Sequence, residues 1–382
     1  MIRSGFKLLC LLVLLAFPSG CWNSSDIQFI YFITTIGIDY QDGKFIAYNQ
    51  VLNFSNIAKS ESVQIGKQVP VWLSKSSGVT LSDAMSNAIP QSQMHFYWGH
   101  VKAIVLSERV LKHGIGEVID ALNRFRDVRY TVYIFGTKEP LEKVLIQQSI
   151  FNSSPVDSLL AAPQRSYKME SKVPQQWSFK FLAQLYDPGN SALLPSLSFS
   201  PNTWHEADKP KPQFIIDGAY FFNQMKYAGW MSTSDLIGAH WMQRKLQAAG
   251  IPVPDDQNPD AFVMITKPKV KIIPIINGDE VRFRIRLKYI GEIFELKKDT
   301  TVDEIEKLAE EAIRKHIRET YLKAVAQHID VYRLSEVLYR RHPHLYHKLA
   351  DRDGILPLTA NTLDGIDIRI HIKNTGRYKM YR

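Results

Sequence analysis

The sequence predicts an α+β fold, with mixed or antiparallel sheets flanked by helices. Strand signals come as hairpins and scattered singles instead of regular βαβ units, one stretch keeps helical spacing from Val302 to Ala324, and proline-rich breaks follow Pro188 and Gly250. A chain of 382 residues suggests two or three domains, each able to bury a core. Hydrophobic residues at 45% and charged residues at 22% match globular usage, which excludes collagen, wholesale disorder and a multi-span membrane protein.

In chain order, the first element is a signal segment over residues 1–20. Arg3 and Lys7 flank the start of an apolar run, Leu8 to Phe17, that stops at Pro18-Ser19-Gly20-Cys21. Ten helical residues reach about 15 Å, half of a roughly 30 Å hydrocarbon core, so a permanent membrane span is not expected. Ser19 and Gly20 before Cys21 resemble the lipobox of bacterial lipoproteins, with Pro18 where an aliphatic residue is usual. Cys21 is therefore expected to receive a diacylglyceryl group and become the first mature residue, its two acyl chains giving stable attachment. Cleavage removes Arg3, Lys7 and Cys10, so the formal charge falls from +9 to 9 − 2 = +7 and a single cysteine remains. No internal disulfide or thiolate metal site is then expected. The basic balance suits anionic headgroups beside the anchor and demotes nucleic acid as a partner.

Ile27 to Ile38 reads as a strand, with Asp42-Gly43 turning into a return from Lys44 to Phe54. Thr80 caps a helix from Leu81 to Ile89, with Asp83 completing an approximate capping box. A strand is expected over His100 to Leu106, then a helix capped by Ser107 and ended by Gly114, then a helix with Ile115, Val118, Ile119, Leu122 and Phe125 on one face. Tyr130 to Phe135 is a further strand, and Pro140 opens a helix from Leu141 to Gln148. Five prolines between Pro188 and Pro212 predict a loop or linker. Phe214 to Phe222 and Met225 to Trp230 form a strand pair, and Ser232 caps a helix to about Ala248. Gly250 with Pro252, Pro254 and Pro259 predicts another break. Asn277-Gly278 marks a hairpin within Lys269 to Leu296. The long helix follows, with Thr301 and Glu304 as its capping box and Glu310–Arg314, Glu311–Lys315 and Glu319–Lys323 spaced as i, i+4 pairs. A helix near Tyr332 to Tyr339 and a strand from Gly365 to Lys373, with Ile366, Ile368, Ile370 and Ile372 on one face, complete the chain.

Motifs for chemistry are scarce. His342, His344 and His347 lie beside Arg340 and Arg341, which oppose a cation, and Pro343 disrupts their helical phasing. Asp256, Asn258 and Asp260 match the start of a calcium loop, but Ala261 and Lys267 stand where its glycine and bidentate glutamate belong. His205-Glu206 lacks the second histidine of a zinc-protease motif. No phosphate-binding loop, dinucleotide fingerprint or nucleophile elbow occurs. Arg124, Arg126 and Arg129, with Asp120 and Asp127 alongside, read as a solvated, internally paired face.

Several segments together carry a family resemblance. Gly20-Cys21-Trp22 with Asp26-Ile27, then Ile36-Gly37-Ile38-Asp39, Gly78-Val79-Thr80 through Ala84, and Gly99-His100-Val101-Lys102 occur in order. Lys112-His113-Gly114-Ile115, Arg124 to Arg129, Leu194-Pro195-Ser196, Gly218-Ala219, Gly229-Trp230, Gly291 with Glu295, and Gln327 with Asp330 continue the series. This collinear set resembles the Ger(x)C family of spore germination lipoproteins, the C subunits of nutrient germinant receptors. The resemblance implies three α+β domains, which the chain's breaks place at 21–200, 213–262 and 266–382. It also implies a non-catalytic protein without cofactor or metal, lipid-anchored at Cys21 on the outer face of the spore inner membrane. Its partners would be the two integral membrane subunits, A and B type, and no nucleic acid. The alternatives are a solute-binding lipoprotein of a transport system, which should show regular βαβ repeats, and an unrecognised secreted hydrolase.

Overall fold

Residues 29–52, 71–147, 158–163, 172–200, 202–352 and 354–374 are described by the computed structural model of the protein. The expected signal segment and Cys21 lie outside these residues.

β-Branched and aromatic residues open the first sheet. β1 (Ile30–Gln41) turns through Asp42 and Gly43, at φ 53° and 75°, into β2 (Lys44–Leu52), as a two-residue hairpin with a matching twist requires. β3 (Val71–Gly78) pairs next to β2. The Thr80 hydroxyl accepts the Asp83 N–H at 3.1 Å and starts α1 (Leu81–Ser86). Asp83 answers the Val79 N–H and not that of Thr80, so the expected box closes one residue early. β4 (His95–Tyr97) and a short turn containing His100 precede β5 (Ala103–Ser107), so His100 lies before the strand it was expected to begin. Ser107 caps α2 (Glu108–His113), Gly114 ends it, and α3 (Ile115–Arg124) buries Ile115, Val118 and Ile119. β6 (Tyr133–Thr137), α4 (Leu141–Ile146) and α5 (Ser178–Tyr186) follow.

β7 (Ser191–Ser200) occupies the stretch expected as a linker. Its buried Ala192, Leu194 and Leu197 hold it in the sheet, between β6 and β10 (Gln213–Asn223), while β8 (His205–Glu206) and β9 (Lys209–Pro210) pair only with each other. Pro195, which has no N–H to donate, pairs with Ala219 of β10 and sits just before the two-residue pairing with β6 at Ser196 and Leu197. β11 (Lys226–Ser232) closes that edge. The order is β11-β10-β7-β6-β5-β1-β2-β3, with β4 beside β1. β1, β5, β6 and β7 run parallel, with α2 and α3 joining β5 to β6. The centre of this mixed sheet is thus built from βαβ connections that the sequence reading missed, because β5 and β6 are five residues each and their helices are short.

The segment 213–262, expected as a middle domain, divides its strands between two sheets. β10 and β11 complete the first; β12 (Ala248–Val253) opens the second. The helix expected to reach Ala248 spans only Ile237–Trp241 (α6), since the chain must turn to enter β12. Gly250 and Pro252 lie inside β12. The Phe262 ring packs so close that a β-carbon on Gly250 would fall 2.1 Å from it, and the edge position of β12 leaves room for a residue without an N–H.

β13 (Ala261–Asn277) and β14 (Glu280–Leu296) form the hairpin centred on Gly278 at φ 62°, with Asn277 paired to Glu280. Thr301 and Glu304 close the capping box of α7 (Val302–Val325), whose Ile305, Ala309, Ile313, Ile317 and Tyr321 enter the largest core. α8 (Leu334–Arg341) and α9 (Pro343–Leu349) lead to β15 (Leu363–Asn374), parallel to β14 with its four isoleucines buried. The sheet order is β12-β13-β14-β15.

α7 also covers the open edge of β15. The N–H groups of Ile370 and Ile372 donate to Glu310 at 3.0 Å and Glu306 at 2.7 Å, and Arg314 donates to the Ile366 carbonyl at 3.2 Å. Glu310 and Arg314, expected to pair with each other, turn to the strand instead. Lys323 likewise reaches Asp235, at 2.6 Å. A smaller core joins the two halves, with Ala219, Phe221, Met231 and Leu236 from one side and Ala324 and Ile329 from the other.

Candidate functional site

The loop from Asp187 to Asn190 connects α5 to β7 and lands on the start of α8. Gly189 has φ 71°, and a β-carbon there would lie 2.7 Å from the Ser335 carbonyl carbon, so glycine alone fits both the conformation and the space. Asn190, next in line, is 1% exposed. Its backbone N–H donates to the Asp187 carbonyl at 3.2 Å. Neither its side-chain oxygen nor its side-chain nitrogen has a hydrogen-bond partner.

Asn190 lines a cavity of about 550 Å³ between the two halves, a size ordinary for small-molecule sites. Leu193, Phe221, Leu236, Val270, Ile272 and Val331 supply much of its apolar wall. Its charged lining is Lys172, Arg244, Arg333, Arg340 and Glu336, so 4 − 1 gives a net formal charge of +3. Glu336 is shared by Arg333 at 2.6 Å and Arg340 at 2.7 Å.

At the cavity's edge, hydrogen bonds that include the lining residue Ser191 tie the halves together. The Asp330 N–H donates to the Ser191 hydroxyl, which donates to Asn223 Oδ1, while Asn223 Nδ2 donates to the His328 carbonyl. Asp330 is 1% exposed and accepts the N–H groups of Leu334 at 2.9 Å and Ser335 at 2.7 Å, fixing the first turn of α8. Burial pushes its carboxyl above the ordinary range, against the pull of those N–H groups. Burial lowers the His240 imidazole to about 4, assisted by Lys172, and leaves it neutral at pH 7. Ser191, committed at both ends, is placed as a tie and not as a nucleophile with a base.

A second polar cluster lies at the carboxyl ends of parallel β1 and β5, where open α/β sheets often hold ligands. There the buried Asp39 accepts from the Ser107 hydroxyl, from the Tyr40 N–H at 2.8 Å and from both Arg109 Nε and Nη2. Burial alone would raise this carboxyl, but Arg109 and Ser107 outweigh it and hold it below its usual value. With its acceptors taken by the protein, the cluster welds β1 to the start of α2.

The residues singled out in sequence are dispersed. Arg124 pairs with Asp120 at 3.0 Å on the exposed end of α3. His347 packs edge-on against Tyr339 and Tyr346. Asp255 caps the turn through Gln257 and Asn258, and Asp260 faces Lys298 at 3.7 Å. Among the described residues no group of three metal-ligating side chains forms, and no helix is long and apolar enough to cross a membrane. Asn190 escaped the sequence reading because Pro188-Gly189-Asn190 has the composition of an ordinary turn. Nothing local reports that α8 will bury it.

Two family models match the chain, one described as the spore germination protein N-terminal domain over residues 23–199, the other as the spore germination B3/GerAC-like C-terminal region over residues 217–376. The chain belongs to the Ger(x)C family. Spore germination protein KC of Bacillus subtilis (strain 168) is 24% identical over 387 residues, covering 96% of this chain and 95% of the relative. Spore germination protein B3 of the same organism is 22% identical, covering 72% and 71%. A crystal structure of the GerBC protein superposes with a TM-score of 0.53 at 19% identity, over 92% of this chain and 99% of that one, and shows the same fold. In this Ger(x)C chain, Asn190 belongs to the first matched region, while Arg333, Glu336 and Arg340 belong to the second. The cavity therefore draws on both.

Proposed function

We propose that this protein is the lipid-anchored, non-catalytic subunit of a nutrient germinant receptor, held through Cys21 on the outer face of the spore inner membrane. Two integral membrane subunits, A and B type, are its partners there. The observation that carries the reading is the paired match to spore germination domains along nearly the whole chain, next to a cysteine set as a lipobox would set it. Cys21 and the first residue of β1 are only 30 − 21 = 9 positions apart, a link of at most about 30 Å. The folded body is then held close to the membrane, where tethering raises the effective concentration toward about millimolar and weak contacts suffice.

The test replaces Cys21 by Ala in spores and follows nutrient-triggered germination, with mass spectrometry of the mature N-terminus. A diacylglyceryl cysteine is expected in the parent, and in the variant a folded but detached protein with the response lost. Fusing the variant to an unrelated transmembrane helix should restore part of the response. A full response from detached protein at normal abundance refutes the tethering.

A further inference from the structure

We propose that the end of the first sheet at which β1, β3, β4, β5 and β6 begin is the face that lies against an anionic lipid bilayer, with aromatic side chains in the interface and cationic ones on the headgroups. The topology assembles this face. β1 runs parallel to β4 and β5, β5 runs parallel to β6, and β3, two antiparallel steps from β1, points the same way. Their first residues therefore lie at one end of the sheet. From β3 to β6 the order is β3-β2-β1-β5-β6, four steps of about 4.8 Å, so this end is about 19 Å wide.

Five aromatic side chains stand out from it. Phe29 precedes β1, Trp72 is second in β3, Tyr97 ends β4, Tyr130 lies three residues before β6, and Phe179 is second in α5, its N–H donating to the Tyr130 carbonyl at 3.3 Å. Each is between 41% and 67% exposed. Phe32, in register with Tyr97, meets its ring edge-on at 6.0 Å, and both rings meet His100. Lys102, Arg126, Arg129 and Lys180 are exposed at the same end with Asp127, so 4 − 1 gives a net formal charge of +3. Burial lowers the His100 imidazole below its ordinary value, and Lys102 and Arg129 lie close enough to lower it further. The internally paired face expected from the sequence holds for Arg124, which has Asp120. Among the described residues no ion pair takes up Lys102, Arg126 or Arg129.

The place where the chain enters the fold selects a bilayer as the occupant. Phe29 is 29 − 21 = 8 positions after Cys21, at most about 30 Å of chain, and it stands at this end of the sheet. Aromatic rings settle at the headgroup level of a membrane, and unpaired cations are drawn to anionic lipid. The inference deepens the anchoring proposal and rests on it for the nearness of the bilayer.

The test supplies the anchor chemically. The mature chain from Cys21 to Arg382, whose one cysteine is Cys21, is coupled through that thiol to a maleimide phospholipid in vesicles of equal phosphatidylglycerol and phosphatidylcholine. The photocrosslinker p-benzoylphenylalanine replaces Tyr130, Phe179 or, as a control, the exposed Lys44 beside the turn at the far end of β1. All three positions are exposed, so the melting temperatures should match the parent's. Mass spectrometry should find phospholipid adducts at positions 130 and 179 and none at 44. A cation near an anionic surface favours contact about fivefold, so Arg126→Gln with Arg129→Gln, or vesicles of phosphatidylcholine alone, should cut the adduct at 179 at least about fivefold. The inference is overturned if positions 130 and 179 give no more adduct than 44, or if neutral vesicles serve as well as anionic ones. Crosslinking of the same two positions to a protein instead of lipid in spore membranes would assign the face to a partner subunit and overturn it too. Failure of the anchoring proposal reads separately, as an unmodified natural N-terminus, and leaves the vesicle result standing.

Discussion

At pH 7 the His240 ring is neutral and 4% exposed, stacked edge-on against Trp241 at 5.5 Å, with Nδ1 unpartnered. Its folded value of about 4 lies below the ordinary 6.5, so between those two pH values the unfolded chain binds the extra proton. The contribution to stability is full above 6.5 and is lost as pH falls toward 4. A difference of that size corresponds to about 3 kcal/mol. Urea unfolding midpoints measured from pH 7 to pH 4 should fall steeply for the parent and more shallowly for His240→Gln; parallel curves would exclude His240 as the source. None of this was legible in the sequence. A histidine two residues after Gly238 becomes a buried base only because α6 is pressed on α7, where a β-carbon on Gly238 would meet the His316 carbonyl oxygen at 2.5 Å.

α7 shows what local pattern does reveal and where it stops. Its capping box, length and buried stripe follow from residues within a few turns of one another, and the structure returns each of them. What Glu306 and Glu310 do was hidden, because the strand edge they cover lies 66 and 60 residues away in the chain. Glu306→Ala with Glu310→Ala should leave the Ile370 and Ile372 N–H groups free to pair with another chain. Sedimentation velocity on the double variant is expected to show concentration-dependent association absent from the parent; a strictly monomeric double variant would show that these carboxylates are not edge guards. β7 and β12 depart from expectation for a related reason. Proline and glycine mark breaks in local reasoning, yet Pro195 and Pro252 are tolerated by the sheet positions that distant strands assign to them.

On the scale of the molecule, the α+β class was legible from the mixture of hairpins and one long helix, while the βαβ centre and the seam between the halves were not. That seam rests on a few side chains, among them Ile329 at 1% exposure between Met231, Leu236 and Ala324. Ile329→Ala should cost about 2–5 kcal/mol and loosen the halves from each other. Calorimetry is expected to show one transition for the parent and a broadened or split one for the variant, and an unbroadened single peak would mean the halves are coupled elsewhere.

The order of strands in the first sheet also sets a timetable for folding. A chain synthesised from its N-terminus presents β7 by residue 200, when its partner on one side is only the two-residue pairing with β6. The ten-position pairing on the other side waits for Gln213 to Asn223. For as long as those residues have not emerged, an apolar strand stands at a growing edge. The proline within β7 then has a use beyond fitting the finished sheet: as a missing donor at position 195, it makes that temporary edge a poorer template for a stranger during the interval.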